Sequence, residues 1–194
     1  MDVNILLFDD FETLDVFGPV EILGRIEENC LQFLSISGGI VKSRQGTEVL
    51  TKPVADADHK GILLVPGGQG TRELVSDTLF IENIRCMAAE SAYCLSVCTG
   101  SALLAKTGLL DGLKATSNKR AFDWVQSVNE NVNWISSARW ASDGKFYTSS
   151  GVSAGMDMSL GFIADRFGKD ISQEIADAIE YIWNDDKNSD PFAR

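Results

Sequence analysis

The sequence predicts an α/β fold, in which helices cover both faces of a mostly parallel sheet. Short apolar runs alternate with amphipathic segments almost from one end of the 194 residues to the other. Runs that are apolar at nearly every position are typical of parallel strands buried on both faces. Apolar residues make up 44% of the chain, and no repeat or linker interrupts it. We therefore expect one domain over residues 1–194 with a sizeable core.

Each element follows from a local pattern of apolar residues. In chain order, the first half predicts a strand at 3–8, a helix at 15–28, a strand at 31–37, a strand that runs into a glycine turn at 61–68, a helix at 77–91, a strand at 92–97 and a helix at 100–108. The second half predicts a helix at 119–128, a strand at 144–150 and two closing helices at 153–167 and 171–183. The tail at 184–194 is polar, and we expect it to be loosely held.

The charge of the chain argues against nucleic acid as a partner. The formal net charge is −11, whereas binding to a phosphate backbone needs clustered Lys and Arg. No apolar run reaches the roughly 18 residues of a membrane span. The N-terminal stretch MDVNILLFDD is acidic, unlike a secretory signal. We therefore expect a cytoplasmic protein that does not bind membranes, with its four cysteines as thiols and no disulfide framework.

Cys98 lies where an open α/β sheet places reactive groups. It follows the strand at 92–97 and precedes a helix that begins at Thr99-Gly100. A side chain in such a turn projects above the carboxyl edge of the sheet. The N-terminus of the next helix favours the thiolate. The ordinary alternative is a small buried side chain. The strand-turn-helix context favours a nucleophile.

The other candidate nucleophiles are weaker. We expect Cys30, Cys86 and Cys94 to be small buried side chains, since free cysteine is among the most buried residue types. The segment at 151–155, GVSAG, matches the G-x-S-x-G elbow of serine hydrolases. No histidine follows Ser153, however, as the α/β-hydrolase order requires. We therefore expect these glycines to allow close backbone packing beside the cysteine turn.

The chain has one histidine, His59, and its position separates it from Cys98. It precedes the strand at 61–68, so it lies at the amino end of the sheet, opposite the carboxyl edge. We expect a surface residue that does not pair with Cys98. One histidine, and cysteines without paired C-x-x-C spacing, also do not match a tetrahedral zinc site.

A carboxylate remains as the partner of the cysteine. Asp15 follows the first strand, again at a carboxyl end, and opens a helix. The ordinary alternative is a helix N-cap, which the residue order alone favours. An ionised Asp15 would oppose ionisation of Cys98. The carboxyl group therefore assists only if it is protonated, with its pKa raised by burial and neighbouring charge far above the usual value of about 3.9.

The segment PGGQGT, residues 66–71, follows a strand, and its glycines can turn their backbone N–H groups outward. It is too short for a dinucleotide fingerprint and lacks the Lys of a phosphate loop. The backbone N–H groups of Gly67 or Gly68, together with that of Thr99, are instead candidates for stabilising charge on a bound reactant.

Four segments, in the right order, resemble the ThiJ/PfpI superfamily of class I glutamine amidotransferase-like folds. They are ETLDVFGPVEIL, LLVPGGQGT, VCTGSALLAKTGLLDGLKAT and YTSSGVSAGMDMSLGFI, and they cover nearly the whole chain. The resemblance implies a flavodoxin-like three-layer sandwich with a cysteine at the nucleophile elbow, usually in homodimers. It also implies that Cys98 is the nucleophile and Asp15 its carboxylic partner.

Two of these segments are similar to the isonitrile hydratase-like subgroup, through L-D-x-x-G-P and C-T-G. Protease-like members instead carry a histidine directly after the cysteine, where this chain has Thr99. The subgroup adds water to an isonitrile without a cofactor and gives an N-substituted formamide. By resemblance, the chemistry falls on Asp15, Cys98 and Thr99. Many members have A-T-T-H-W where this chain has Asn118 for the histidine and Lys119 for the tryptophan, which leaves the substrate open.

Two other functions stay open. One is glyoxalase- or deglycase-like chemistry on α-oxoaldehydes, which the superfamily includes and which normally adds a nearby histidine. The other is a ligand-binding or redox-sensing domain, since similar domains occur fused to DNA-binding regulators. This chain ends without a basic helix-turn-helix segment. A low-pKa thiol is open to oxidation whether or not it serves catalysis. The expected enzymatic partner is a small electrophilic molecule.

Overall fold

The computed structural model describes residues 1–193, which are built around one eight-stranded sheet. The strands are Asp2–Leu6 (β1), Cys30–Ser35 (β2), Gly39–Lys42 (β3), Glu48–Pro53 (β4), Ile62–Val65 (β5), Tyr93–Ser96 (β6), Lys114–Ala115 (β7), Asn133–Trp134 (β8), Trp140–Asp143 (β9) and Phe146–Ser149 (β10). Their order in the sheet is β3-β4-β2-β1-β5-β6-β10-β9, and β7 and β8 form a separate parallel pair. The inner strands are parallel, and only the edge pairs β3/β4 and β9/β10 are antiparallel.

Helices surround this sheet. They are Thr13–Leu23 (α1), Thr71–Leu74 (α2), Thr78–Glu90 (α3), Gly100–Lys106 (α4), Phe122–Val128 (α5), Ala154–Phe167 (α6) and Lys169–Ala178 (α7). One group packs α6 against α1 and α7, and another packs α4 against α2, α3 and α5. This confirms the predicted α/β class with a mostly parallel sheet. In the described part of the chain, no helix combines the length and the apolar character that crossing a membrane requires.

The central strands bring four loops to one edge of the sheet. All of β5 is buried, as is most of β6, which fits their continuous apolar sequences. The strands end in register, because Val65 of β5 pairs with Ser96 of β6, and Thr148 of β10 pairs with the same serine. The residues that follow β1, β5, β6 and β10 therefore meet at the carboxyl edge, where ligands bind in open α/β sheets.

The sequence pattern did not predict the strands at the two edges. In β3, only Val41 is buried, and in β4, only Thr51. The strand β9 begins with two buried residues and ends at Asp143, which is partly exposed. Edge strands face solvent on more sides than central ones, so polar residues break their apolar runs and weaken the strand signal.

Three predicted helices were too long. The helix predicted to reach residue 28 ends at Leu23, because Gly24 follows and the Asn29 side-chain amide donates to the Leu23 carbonyl over 2.8 Å. The last helix ends at Ala178 rather than at residue 183, since Glu180 has a left-handed φ of +53°.

The third of these helices begins at Phe122 rather than at Lys119. The Asn118 carboxamide oxygen accepts the N–H groups of Arg120 and Ala121, over 2.9 and 3.2 Å. This turn holds residues 118–121 outside the helix.

The tail is attached at Asn184 and Asp190, so the expectation of a loosely held tail is wrong at these two points, while residues 185–189 are exposed. The Asn184 N–H donates to the buried Asp157 carboxylate over 3.1 Å. Asp190 is only 5% exposed and lies near the cations of Lys119 and Arg139. Buried opposite charges supply an attachment that polar composition alone does not reveal. Residue 194 lies outside the described residues.

Candidate functional site

Cys98 occupies a sharp turn between β6 and α4. Its φ of +57° lies in the left-handed region, which is uncommon for a residue other than glycine. Its N–H donates to the Ser150 carbonyl over 3.0 Å, and its carbonyl accepts the Ser117 hydroxyl over 2.8 Å. A Cβ on Gly100 would lie 2.3 Å from the Val65 carbonyl, so only glycine allows the chain to pass the neighbouring strand this closely. The turn is thus held on several sides, and strained backbone of this kind is found at functional sites.

Asp15 is buried in the first turn of α1, beside the cysteine. The N-cap of α1 is Glu12, so the ordinary alternative for Asp15 is wrong. The Gly67 N–H donates to Asp15 Oδ2 over 2.9 Å, and within residues 1–193 Oδ1 has no hydrogen-bond partner. Burial, with a smaller contribution from the Glu12 charge, raises the pKa of Asp15 to about 8. The carboxyl group is therefore protonated at neutral pH, as its proposed use requires.

The sulfur of Cys98 does not rest as a thiolate. Burial raises the pKa of the Cys98 thiol well above its ordinary value, and the charge of Asp15 raises it further. The backbone N–H groups of Thr99 and Val152 and the side-chain amide of Asn118 act in the opposite direction. The expected effect of the helix N-terminus is thus outweighed by desolvation of a side chain that is 7% exposed. The resting pair is a thiol beside a neutral carboxylic acid.

The glycine amides are engaged inside the protein, which corrects their expected use on a reactant. Gly67 donates to Asp15, as above, and the Gly68 N–H donates to Thr99 Oγ1 over 3.1 Å. The Thr71 hydroxyl also lies 3.0 Å from Thr99 Oγ1. Of the predicted groups, the Thr99 N–H therefore remains directed at the sulfur. The glycines instead hold Asp15 and Thr99 in place.

Close packing makes Gly67 part of the site in another way. A Cβ on Gly67 would lie 2.6 Å from the Thr99 nitrogen and 2.9 Å from Asp15 Oδ2. Both distances are shorter than a real Cβ contact, so a side chain would push these two residues apart. The loop after β5 thus brings together Asp15, Thr99 and, next to it, Cys98. These are the residues that the sequence predicted to act together.

Two groups beside the sulfur were not predicted to act there. Val152 is a β-branched residue with φ of +43°, a strained conformation that turns its N–H toward Cys98. Asn118 was noted only as a departure from related sequences, and a Cβ on Gly151 would lie 2.3 Å from its Nδ2. The glycines of GVSAG do permit close packing here, since a Cβ on Gly155 would also meet Val97 at 2.9 Å. A valine in left-handed backbone leaves no sequence signal.

A cleft of about 510 Å³ opens next to this pair of groups. It is lined by Asn118, Lys119, Arg120, Ser150, Gly151, Val152, Ser153, Pro191, Phe192 and Ala193. Cys98, Asp15 and Thr99 are not among these lining residues, but Asn118 and Val152 are, and their amides favour the Cys98 thiolate, so the cleft lies beside the cysteine.

Other predicted residues lie elsewhere. His59 lies before β5 at the amino end of the sheet, where its Nε2 is 2.9 Å from the Val54 carbonyl. It is half-buried rather than a free surface residue. Cys94 is buried as expected, but Cys30 and Cys86 are exposed. Cys30 opens an incompletely buried strand, and Cys86 lies on the outer face of α3. The expectation that free cysteines are buried is therefore wrong at both positions.

The remaining motifs supply no second catalytic centre. The Ser153 hydroxyl accepts a hydrogen bond from Arg139 over 3.2 Å and has no histidine partner, since the chain's one histidine is remote. Among residues 1–193, no group of three His, Cys, Asp or Glu side chains is placed to hold a metal ion.

Several known proteins are similar to this chain in sequence. Isonitrile hydratase of Pseudomonas putida is 29% identical over 184 residues, which are 93% of this chain and 78% of that protein. The deglycase PfpI of Pyrococcus furiosus is 26% identical over 138 residues, 70% of this chain and 81% of that one. The transcriptional regulator GbdR of Pseudomonas aeruginosa is 28% identical over 187 residues, which are 92% of this chain but only 50% of the regulator.

Structure comparison and a family model agree with these relatives. The crystal structure of a ThiJ/PfpI family protein from Pseudomonas syringae superimposes with a TM-score of 0.85 at 26% identity, over 93% of this chain and 74% of that one. The model of the DJ-1/PfpI family matches residues 1–165, which include Asp15, Cys98 and Thr99. These matches confirm the resemblance inferred from the sequence segments. The chain belongs to the DJ-1/PfpI family.

Proposed function

We propose that this protein is a cysteine enzyme that adds water to an isonitrile, R–N≡C, and releases the N-substituted formamide. The observation that carries the proposal is the buried Asp15 carboxyl group, protonated at neutral pH, beside the buried thiol of Cys98. Hydration of an isonitrile needs both a nucleophile and a group that gives and takes protons. The similarity to an isonitrile hydratase over 93% of the chain supports this choice of reaction.

In the first step, the sulfur of Cys98 forms a bond to the terminal carbon of the isonitrile. Asp15 donates its carboxyl proton to that carbon and takes up the thiol proton of Cys98. The net change is addition of S–H to one carbon, which gives the thioformimidate R–N=CH–S–Cys98. A pKa of about 8 suits Asp15 for this exchange, because the group must be protonated at rest and still release its proton.

In the second step, water converts the thioformimidate to product. Asp15 donates its proton to the nitrogen, while the water oxygen bonds to the carbon and a water proton returns to Asp15. The C–S bond then breaks to leave R–NH–CHO, and the hydroxyl proton reaches the sulfur through Asp15. One water is consumed, the thiol is restored, and the balance needs neither an oxidant nor a reductant.

The N–H groups around the sulfur have a defined part in both steps. The amides of Thr99 and Val152 and the side-chain amide of Asn118 face Cys98 and favour its anionic form. Negative charge builds on the sulfur as its proton leaves and again as the C–S bond breaks. Donors fixed in advance stabilise such charge without reorganisation. Thr99 acts here through its N–H, since its hydroxyl is occupied by Gly68 and Thr71.

The test is formamide production from simple alkyl and aryl isonitriles, measured by chromatography and mass spectrometry. We expect Cys98→Ala to lower the rate by roughly a thousandfold or more and Asp15→Asn by about 10²- to 10⁴-fold. Cys94→Ala is the matched control, since that cysteine is also buried but lies away from the turn. If folded wild-type protein with a reactive Cys98 makes no formamide, the proposal is wrong.

The activity should also depend on pH. The active form carries the Asp15 proton, which is present below the folded-state pKa of about 8 and is lost above it. The rate should therefore fall as pH rises through about 8, approaching tenfold per pH unit on the alkaline side. A rate that instead rises through this range would assign the essential proton transfer to another group.

Two relatives favour other functions strongly enough to be assayed in parallel. The deglycase match covers 70% of the chain, and lactate formation from methylglyoxal that is lost in Cys98→Ala would support that chemistry. The match to half of a transcriptional regulator suggests a ligand-binding or redox-sensing domain. Selective oxidation of Cys98 without turnover of any substrate would favour that function. A homodimer and a cytoplasmic location stay predictions, and sedimentation velocity would test the first.

A further inference from the structure

We propose that Phe192 determines the substrate specificity of the Cys98 cleft by binding an aromatic substituent, and that Asp190 positions it. This rests on the proposed function only for the identity of the reacting group, an isonitrile. The shape of the cleft is independent of that choice. Phe192 belongs to the tail that the sequence predicted to be loosely held.

The cleft has two walls. One consists of Asn118, Val152 and their neighbours, and these two residues lie beside Cys98. The other is the tail segment 191–193. A molecule whose terminal carbon reaches the sulfur must keep its remaining atoms between these walls. The tail therefore contacts the substituent rather than the reacting carbon.

The tail is held in place by a buried carboxylate. Asp190 lies 3.7 Å from Arg139 Nη1 and 3.9 Å from Lys119 Nζ, and its N–H donates to the Ser137 carbonyl over 2.8 Å. Asp190 Oδ1 in turn accepts the N–H of Phe192 over 2.9 Å. The carboxylate thus connects the buried cations to the backbone of Phe192. Asp190 is therefore a positioning residue for Phe192.

Lys119 contributes to the attachment of the tail through Asp190 rather than to binding of the ligand. Its ammonium donates to Thr116 Oγ1 over 2.8 Å and to the Ala138 carbonyl over 2.6 Å, and it pairs with Asp190. Its side chain is 7% exposed. The position at which this sequence departs from the A-T-T-H-W pattern thus holds a cation that contacts the tail.

The chemistry of the rim favours an aromatic ring. Phe192 is 66% exposed, although a large apolar side chain gains from being covered. Pro191 and Val152 add apolar surface, and Arg120 is the exposed cation among the lining residues. An aromatic substituent can pack against Phe192 and present its face to a guanidinium. Benzyl isonitrile fits this description, whereas methyl isonitrile offers no ring.

Steady-state kinetics with these two isonitriles test the proposal. We expect Phe192→Ala to raise KM for benzyl isonitrile about 3- to 10-fold while kcat stays within about twofold. Methyl isonitrile should show no change. Asp190→Asn should produce the same pattern of KM values. Phe192→Tyr, which keeps the aromatic ring, should have the wild-type KM for benzyl isonitrile. Phe167→Ala is the matched control, because Phe167 is also an exposed phenylalanine, at 51%, and lies on another face.

A second measurement does not need isonitrile turnover. The rates of Cys98 alkylation by N-phenylmaleimide and N-methylmaleimide are compared by peptide mass spectrometry, because exposed Cys30 and Cys86 also react. The phenyl-to-methyl rate ratio should fall about 3- to 10-fold in Phe192→Ala and Asp190→Asn. An unchanged or increased ratio overturns the proposal. A lower ratio without any formamide production would keep the aromatic subsite and reject the proposed reaction.

Discussion

Two clusters of buried polar side chains lie near the same cleft, and they differ in how their charges are balanced. Arg139 and Asp157 form an ion pair of 2.7 Å, which two further charged residues extend. Asp15 and Cys98 have no cation beside them among the groups that shift their pKa values. The opposite charge of its partner therefore keeps each member of the first pair ionised, whereas burial without a cation keeps the second pair protonated. Buried charges with opposite partners attach a chain segment to the fold, whereas buried acidic groups without a cation stay protonated and are suited to proton transfer.

The largest expected effect comes from a substitution that breaks the ion-pair cluster around Arg139. Arg139→Met removes the cation beside Asp157 and Asp190 and leaves two carboxylates buried without it. We expect a loss of about 3–5 kcal/mol in the free energy of unfolding, measured by urea denaturation. The control is Arg25→Met, which breaks a solvent-exposed pair with Glu21 and should cost at most about 1 kcal/mol. Equal losses in the two variants would contradict the comparison.

The next effect concerns the pH dependence of stability at the pair of Asp15 and Cys98. The Asp15 pKa is raised from 3.8 to about 8 on folding, so between these values the folded state holds a proton that the unfolded state releases. Stability contributed by this proton is complete below about pH 4 and is lost as pH rises toward 8.

Replacement by asparagine removes that dependence. The free energy of unfolding of Asp15→Asn minus that of wild type should grow by about 1 kcal/mol per pH unit between pH 5 and 7. Urea denaturation at several pH values measures it. Asp123→Asn, at an exposed residue in the first turn of α5, is the control and should show little slope. A flat difference for Asp15→Asn would mean that Asp15 is ionised in the folded protein.

A smaller effect distinguishes a change in the geometry of the site, measured by kcat, from a loss of stability. Gly67→Ala places a methyl group 2.6 Å from the Thr99 nitrogen and 2.9 Å from Asp15 Oδ2. We expect kcat for formamide formation to fall about 10²-fold, because catalytic groups displaced by an ångström lose their alignment. In Gly39→Ala, the new methyl group has open space but a φ of +92°, so stability should fall and kcat should not. Comparable losses of kcat in both variants would refute the packing argument.

The smallest effect sharpens the account of the thiol. The Asn118 amide lowers the pKa of Cys98 against the larger effect of burial. Asn118→Ala should therefore slow alkylation of Cys98 by iodoacetamide about 2- to 5-fold at fixed pH, as expected for loss of one hydrogen bond. Asn188→Ala, at an exposed residue, is the control. Faster alkylation of the Asn118 variant would show that the amide shields the sulfur rather than stabilising its anion.

The sequence placed Cys98 and Asp15 at the same sheet edge because both follow strands of a parallel sheet. It could not decide the chemistry of Asp15, since the residue order of an N-cap and that of a buried acid are the same. The structure separates them by burial and by the Gly67 N–H. The glycine amides show the reverse case. Their position was predicted, but their hydrogen bonds lead to Asp15 and Thr99 rather than to open space.

By itself, the sequence determined the α/β class, the central strands, the cysteine turn and the family, because each depends on local pattern or on motifs contiguous in the chain. Only the tertiary structure decided the protonation of the Cys98–Asp15 pair, the strained Val152 and the attachment of the tail through Asp190. These properties depend on desolvation and charge pairing between residues that are distant in sequence. Such effects become visible only when the neighbours of each side chain are known.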